Sequence, residues 1–181
     1  MPMEGQEAER LVRLYGSRIY AFCRKLALKQ SDADDLYQQT FLRVLVMPRQ
    51  MDMDHNPAGF LMAIAARIWR DETRKYARRQ RIAPIQDMDG DISSVATAGT
   101  TENEMEKKQL QADIRMLVEH LPDNLRVPVL LQYMGQLSTV EIARLLGIPQ
   151  GTVKSRLHQA RQQLKKELEG IGHDEKNVFG R

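Results

Sequence analysis

The chain has 181 residues, of which 42% are hydrophobic, so it can form one medium domain or two small ones with modest cores. It has no run of eighteen apolar residues, and residues 1–10 are polar and acidic, which argues against a membrane span and an export signal. Its single cysteine, Cys23, excludes an internal disulfide, and no histidine lies at a metal-ligand spacing from it or from another histidine. We therefore expect a cytoplasmic protein without a metal or a cofactor, in which Cys23 is a packing residue.

The formal net charge of +3 is mild, but the charges are segregated along the chain. Residues 67–81 contain seven basic side chains, and residues 144–166 contain six basic side chains and no acidic one. The intervening residues 86–106 are acidic and rich in Ser, Thr and Gly, a composition typical of a linker. Two basic surfaces on a tether favour one nucleic acid held at two places, although each basic run alone is also compatible with a solvated helix face.

The first part of the chain shows helical periodicity throughout. Apolar residues at spacings of three and four predict a helix around residues 11–26. Ser31 is the predicted N-cap of a second helix, which ends before Pro48. Asn56 and Pro57 predict the N-cap and first turn of a third, long helix that continues into the first basic run. We find no sustained two-residue alternation, so we expect no strands.

The sharpest motif lies in the second basic part. Ser138 and Glu141 have the spacing of a capping box, and Gly147 stands where a tight turn requires positive φ. Pro149 suits the first turn of a following helix, and that helix carries the basic residues. These offsets predict a helix-turn-helix whose recognition helix is residues 150–165. The alternative, an ordinary helical hairpin with a glycine in its turn, explains fewer of the offsets.

These elements predict an all-α protein made of two small helical domains joined by a flexible linker. The first domain is residues 1–82, the acidic linker is residues 83–103, and residues 104–170 form a winged-helix-like four-helix domain that contains the helix-turn-helix. Residues 171–181 lie beyond the last motif and are expected to form a frayed tail.

Motifs in both predicted domains form a recognisable set. In the second domain they are residues 141–143, 146–148 and 151–157, with Leu121, Pro122 and Arg126 upstream. In the first domain they are residues 34–44 and 60–65, followed by Asp71 and Arg74. Over roughly residues 8–168 this set resembles bacterial RNA polymerase sigma factors. The organisation into two domains joined by a short linker resembles the extracytoplasmic-function (ECF) group of the sigma-70 family.

The resemblance implies a non-enzymatic initiation factor that binds RNA polymerase core and promoter DNA and has an anti-sigma factor as a further partner. The implied polymerase-binding residues are Asp32, Asp35, Gln38, Gln39 and Arg43. The implied −10 element contacts are His55, Asn56, Phe60, Arg67, Arg70, Arg74, Lys75 and Arg78. The implied −35 element contacts on the recognition helix are Gln150, Thr152, Lys154, Ser155, Arg156, His158, Gln159 and Arg161.

Several points stay open at this level. Trp69 can either stack on a base or pack in the core, and Phe41 can be either a polymerase contact or a core residue. Arg67 stands where the family often has Asn, which puts the usual polar base contact there in doubt. Gln159 replaces a frequent Arg, which should alter the preference for the −35 element. The sequence also does not say whether the two domains pack together in the free protein.

Two other functions compete with this interpretation. A stand-alone helix-turn-helix regulator would share the second domain but would not bind polymerase core. An enzyme acting on nucleic acid would need converging groups. The carboxylates available for a metal are Asp34 and Asp35, which form a pair, and Asp87, Asp89 and Asp91, which are spaced. The first set is expected on an exposed helical face, and the second lacks the closing Glu and the octahedral surroundings that a calcium loop needs. No set of converging catalytic groups stands out.

Overall fold

The computed structural model describes residues 5–47, 55–82 and 102–172. The described residues form helices and connecting turns without any strand, which confirms the predicted all-α class. In chain order the helices are α1 (Gly5–Ala27), α2 (Gln30–Val46), α3 (Pro57–Ile82), α4 (Glu102–His120), α5 (Asp123–Tyr133), α6 (Thr139–Leu146) and α7 (Gln150–Gly170). Within these three ranges, no helix combines the length and the apolar character needed to cross a membrane.

Helices α1, α2 and α3 pack against one another as a three-helix unit. The apolar stripe predicted for α1 is buried, and Ile19, Phe22 and Leu26 have no exposed surface. Leu61 of α3 is equally buried against them. Cys23 is confirmed as a packing residue, since its side chain is inaccessible and burial raises the pKa of its thiol to about 12.

The start of α3 confirms the predicted N-cap. The Asn56 side-chain oxygen accepts a hydrogen bond of 2.9 Å from the Gly59 amide, and Pro57 is the first helical residue. Pro57 is well suited to this position because its fixed φ is helical and its missing N–H would have no intrahelical partner. This cap satisfies a backbone donor in the first turn of α3.

The predicted start of α2 is wrong. The helix begins at Gln30 with Lys29 as its N-cap, and the Ser31 hydroxyl contacts Asp32 instead of capping the backbone. The physical reason is that the Lys29 carbonyl already accepts the Ala33 amide at 3.0 Å, so Ser31 lies inside the first turn. Pro48, the predicted stop signal, lies outside the described residues.

Helices α4, α5 and α6 each pack against α7, and this unit contains the helix-turn-helix. The predicted capping box is present, because the Ser138 hydroxyl accepts the Glu141 amide and the Glu141 carboxylate accepts the Ser138 amide at 2.7 Å. Gly147 ends α6 with φ of 62°, as the turn requires. Pro149 precedes α7 as its N-cap residue, one position earlier than predicted.

The two units are packed together, which the sequence left open. Helix α5 contacts α1 and α3, α6 contacts α3, and the buried apolar side chains form one continuous cluster. Arg126 of α5 is 5% exposed and lies at this junction. Its guanidinium donates to the Leu121 carbonyl of its own unit and to the Leu26 carbonyl at the end of α1, both at 3.0 Å. The end of α1 is therefore fixed to the turn that begins α5.

Candidate functional site

Helix α7 presents a polar face opposite its buried stripe. Val153, Leu157 and Ala160 point inward with at most 2% of their surface exposed. Of the predicted recognition residues, Gln150, Lys154, Ser155, His158, Gln159 and Arg161 are exposed, and Thr152 and Arg156 are half-buried. All of them therefore retain surface through which to meet a major groove, which has the width of one helix.

The structure adds two features of this face that the sequence did not single out. Gln162 is exposed and lies one helical turn after His158 and two turns after Ser155. It therefore shares the side of α7 that carries these two predicted contact residues. Gly151 has open space where a Cβ would stand, so a nucleic-acid backbone can approach the first turn closely. No side chain caps that turn, which leaves backbone N–H groups for a phosphate. The Gln150 side chain is bound to the start of α6, because its amide nitrogen donates to the Thr139 hydroxyl at 2.8 Å.

A basic stripe runs along α3. Arg67, Arg70, Arg74 and Arg78 recur at spacings of three and four, so they share one side of the helix with Phe60. Arg67, Arg74 and Arg78 are exposed, whereas Arg70 and Phe60 are half-buried. Such a row of guanidinium groups matches the spaced negative charges of a nucleic-acid backbone.

The remaining predicted residues of this region differ in their environment. The Lys75 ammonium forms an ion pair of 2.9 Å with Glu72 one turn away, so part of its charge is compensated within α3. His55 is exposed just before α3. The Asn56 side chain caps α3 through its oxygen, and its nitrogen Nδ2 donates at 2.8 Å to the Gly135 carbonyl, beyond the end of α5. The segment that begins α3 is therefore in contact with the second unit.

The two ambiguous aromatic residues both pack against the core. Trp69 is half-buried, and its indole N–H donates at 3.2 Å to the Asp123 carboxylate at the start of α5. Phe41 lies edge-on to Tyr37, with ring centroids 5.0 Å apart, and is likewise packed against the buried cluster. Both rings therefore contribute to the core, while each keeps part of its surface exposed.

Helix α2 exposes the complete row that was predicted to bind polymerase. Asp32, Asp35, Gln38, Gln39 and Arg43 are all exposed. The opposite side of the helix, with Leu36 and Val44, is buried. Sequence reasoning missed Leu42 and Val46, which are 60% and 68% exposed beside this row. The available signal was their position outside the buried stripe, because exposed apolar side chains one turn apart often mark a protein contact.

A groove of about 1010 Å³ lies between α2, α3 and α6. Leu42, Phe60 and Leu145 supply apolar walls, and Arg67 and Arg144 supply positive charge. The groove thus joins the polar row of α2, the start of α3 and the helix-turn-helix in one continuous surface.

The carboxylates considered for an enzyme do not form a reactive centre in the described ranges. Asp34 accepts a 2.8 Å hydrogen bond from the Tyr20 hydroxyl, and this bond raises the pKa of Tyr20. No group of three His, Cys, Asp or Glu side chains is placed to share a metal ion in this part of the chain. Asp87, Asp89 and Asp91 lie outside the described residues.

The chain matches two family profiles that follow one another along the sequence. Sigma-70 region 2 matches residues 11–79, and Sigma-70 region 4 matches residues 111–164. Together the matches cover about two thirds of the chain, including α2, the basic stripe and the helix-turn-helix. The chain belongs to the sigma-70 family of RNA polymerase sigma factors.

Similar proteins place this sigma factor in the ECF group. It is 29% identical over 165 residues to the ECF RNA polymerase sigma factor SigW of Bacillus subtilis, covering 89% of this chain and 88% of the relative. It is 32% identical over 160 residues to the ECF factor SigE of Mycolicibacterium smegmatis, covering 87% of this chain and 60% of the relative. The solved structure of the sigma factor RpoE in complex with the anti-sigma factor NepR from Bartonella quintana has the same fold, with a TM-score of 0.70 and 21% identity over 93% of this chain and 99% of that one.

The protein is therefore an ECF sigma factor, which directs promoter-specific transcription initiation by RNA polymerase and is not an enzyme. The family assignment also decides between the competing functions. A stand-alone helix-turn-helix regulator would share only region 4, whereas region 2 is matched over nearly the whole three-helix unit.

Proposed function

We propose that three separate surfaces of this sigma factor bind polymerase core, the −10 element and the −35 element. The exposed row of α2 binds polymerase core, the start and basic stripe of α3 hold the −10 element, and the polar face of α7 reads the −35 element. We also propose the domain limits given by the sequence, except that the linker, predicted as residues 83–103, ends before Glu102, because α4 begins there.

One observation supports this division most directly. Each of the three helices buries one side in the core and leaves its predicted contact residues wholly or partly exposed on the other, so none of the assigned side chains is fully buried. The chemistry of each surface also differs. Carboxylates and amides on α2 suit a protein partner, a row of arginines on α3 suits a nucleic-acid backbone, and mixed Gln, Ser, His and Arg side chains on α7 suit base edges.

The polymerase contact is tested by the double variant Gln38→Ala/Arg43→Ala. We expect weaker binding to purified polymerase core, measured by fluorescence anisotropy, with unchanged binding of the full chain to a −35 duplex. The matched control is Glu9→Ala/Arg13→Ala on α1, which also removes a polar pair whose side chains are 73% and 80% exposed. Equal core affinities for the two double variants would show that α2 has been assigned wrongly.

The promoter contacts are tested by run-off transcription with core polymerase on a pool of promoter fragments. New discrete transcripts that depend on the protein identify its promoters. Arg74→Ala/Arg78→Ala should then reduce open-complex formation on those promoters without reducing core binding. If Arg74→Ala/Arg78→Ala and wild type open promoters equally, α3 does not hold the −10 strand.

We further propose that an anti-sigma factor regulates this protein in the cytoplasm. The support is the likeness to the RpoE–NepR complex and to CnrH in complex with the cytosolic domain of CnrY, which has a TM-score of 0.58 at 20% identity over 92% of this chain. A partner purified with the tagged protein from its own cells should abolish run-off transcription when added back, and a partner that leaves transcription unchanged would contradict the proposal.

A further inference from the structure

A crevice of about 420 Å³ lies between α1 and α2. Three residues of each helix line it, namely Gly16, Ser17 and Tyr20 of α1 and Asp34, Tyr37 and Gln38 of α2. The first unit alone forms this crevice, so it does not depend on how the two units pack. Only Gln38, on its rim, belongs to the row of α2 that is assigned to polymerase.

Two aromatic rings form adjacent walls of the crevice. The rings of Tyr20 and Tyr37 have centroids 5.6 Å apart and stand at 87° to each other. Gly16 makes this arrangement possible, because a Cβ at that position would lie only 2.8 Å from the Tyr37 hydroxyl oxygen. The faces of aromatic rings are negatively polarised and attract cations, and cages of such rings bind alkylated ammonium groups.

The Asp34 carboxylate adds a negative charge to these walls. Asp34 is half-buried and accepts a 2.8 Å hydrogen bond from the Tyr20 hydroxyl, which uses one of the roughly four hydrogen bonds that a carboxylate can accept. This hydrogen bond is the main cause that raises the pKa of Tyr20, and the positive charge of Arg24 opposes it only in part. Within the described parts of the chain, no basic side chain forms an ion pair with Asp34.

Together these components select the class of ligand. One carboxylate supplies too few oxygen atoms to hold a metal ion. An anion would be repelled by Asp34, and an uncharged apolar molecule would remove water from the carboxylate without pairing its charge. A cation with an apolar surface pairs with the carboxylate and contacts the rings at the same time.

We propose that the crevice between α1 and α2 binds an organic cation, whose alkylammonium or guanidinium group lies between Asp34 and the rings of Tyr20 and Tyr37. The Tyr37 hydroxyl forms no hydrogen bond with a residue that the structure describes, so it is available as an acceptor for such a group. The cation belongs either to a free small molecule or to a basic side chain of polymerase core. Only the second source rests on the proposed role of α2.

The test uses the full chain labelled with 3-fluorotyrosine and followed by fluorine NMR. The chain has five tyrosines, of which Tyr20 and Tyr37 report on the crevice, whereas Tyr15, Tyr76 and Tyr133 report on unspecific effects. Single Tyr→Phe variants assign the five signals. The probes are tetramethylammonium chloride and methylguanidinium chloride, added at constant ionic strength. The control compound is tert-butanol, which resembles tetramethylammonium in shape but has no charge.

We expect both cations to shift the Tyr20 and Tyr37 signals with one saturable dependence on concentration, while the other three signals stay in place. Asp34→Asn keeps an oxygen that accepts the Tyr20 hydroxyl but removes the charge, so it should weaken binding about tenfold. Glu9→Gln removes an exposed carboxylate elsewhere on α1 and should change the affinity by less than about twofold. Gly16→Ala should also weaken binding, because its Cβ displaces the Tyr37 hydroxyl.

Three results would overturn the cation site. The first is a shift of all five tyrosine signals without saturation, which shows unspecific binding only. The second is equal affinity of wild type and Asp34→Asn for the two cations, provided that circular dichroism shows both to be folded. The third is an equal effect of tert-butanol on the Tyr20 and Tyr37 signals, which shows an apolar pocket that does not select charge.

Competition with polymerase core identifies the source of the cation. If tetramethylammonium weakens core binding of wild type but not of Asp34→Asn, a basic side chain of core occupies the crevice. If core affinity responds neither to tetramethylammonium nor to Asp34→Asn, while both cations still bind, the crevice serves a free small molecule. The role of the α2 row is measured separately with Gln38→Ala/Arg43→Ala, so that assignment can fail while the cation site stands.

Discussion

Arg126 connects three segments through backbone carbonyls, and its replacement by alanine should be among the most damaging single changes in this protein. Its guanidinium donates to Leu121 and Leu26 at 3.0 Å and to Glu119 at 3.2 Å, and it also pairs with Asp123. Burial lowers the pKa of Arg126, and the carboxylates of Asp123 and Glu119 act against this shift. Hydrogen bonds from a charged donor contribute about 1.5–3 kcal/mol each, but desolvation of the guanidinium offsets much of their sum.

Arg126→Ala leaves the Leu26 and Leu121 carbonyls without this donor, and because each buried polar group left unsatisfied costs about 1–3 kcal/mol, we expect the free energy of unfolding to fall by about 2–5 kcal/mol. The protein has a single tryptophan, Trp69, which contacts Asp123 beside the same network. Urea unfolding followed in parallel by Trp69 fluorescence and by circular dichroism therefore reports on the junction and on total helix content. Arg13→Ala is the matched control, since its ion pair with Glu9 is exposed and should contribute below about 1 kcal/mol. A loss no larger than that of Arg13→Ala would refute this account of the junction.

Three further predictions concern region 4 and the core. Ser138→Ala should lower the free energy of unfolding by about 1 kcal/mol at pH 7, because it removes the N-cap of α6. The hydrogen bonds from Ser138 lower the pKa of Glu141, so this loss should become smaller as pH falls through the folded-state pKa of that carboxyl. Urea unfolding midpoints of wild type and variant across this pH range measure the change. Arg156→Ala should weaken binding to a matched −35 duplex by about 1–3 kcal/mol, and an equal loss on a scrambled duplex would remove its role in specificity. Cys23 should react with a thiol reagent only at the rate of unfolding, since its buried thiol has a pKa of about 12, and rapid labelling of folded protein would contradict its burial.

The features that sequence predicted well are those encoded within one helical turn. Asn56 caps α3, Ser138 and Glu141 form the capping box, and Gly147 adopts positive φ, as their spacing required. Each of these depends on a side chain and a backbone group at most three or four positions away. The predicted N-cap at Ser31 was wrong because two possible helix starts one or two residues apart differ by only a single backbone hydrogen bond, and the helix begins at the earlier one.

The contacts between the units could not be read from the sequence. Arg18 and Met134 are 116 residues apart, and the acceptor is a backbone carbonyl, a group that every residue carries. Arg70 and Arg126 show that residue type alone does not reveal a side chain's environment. Both are arginines in helices, yet one belongs to a basic stripe and the other is buried at the junction, and only packing distinguishes them. The exposure of Leu42 and Val46 likewise depends on where α2 meets α1 and α3.

Tethering explains how a protein with a net charge of only +3 can select promoters. Each DNA-binding surface carries only a limited number of basic groups and releases few counterions, so each alone should bind weakly and depend only moderately on salt. The nineteen residues between Ile82 and Glu102 span at most about 70 Å when fully extended, which is about two turns of B-form DNA. Once the units separate, binding of one promoter element therefore raises the effective concentration of the other surface at its own element.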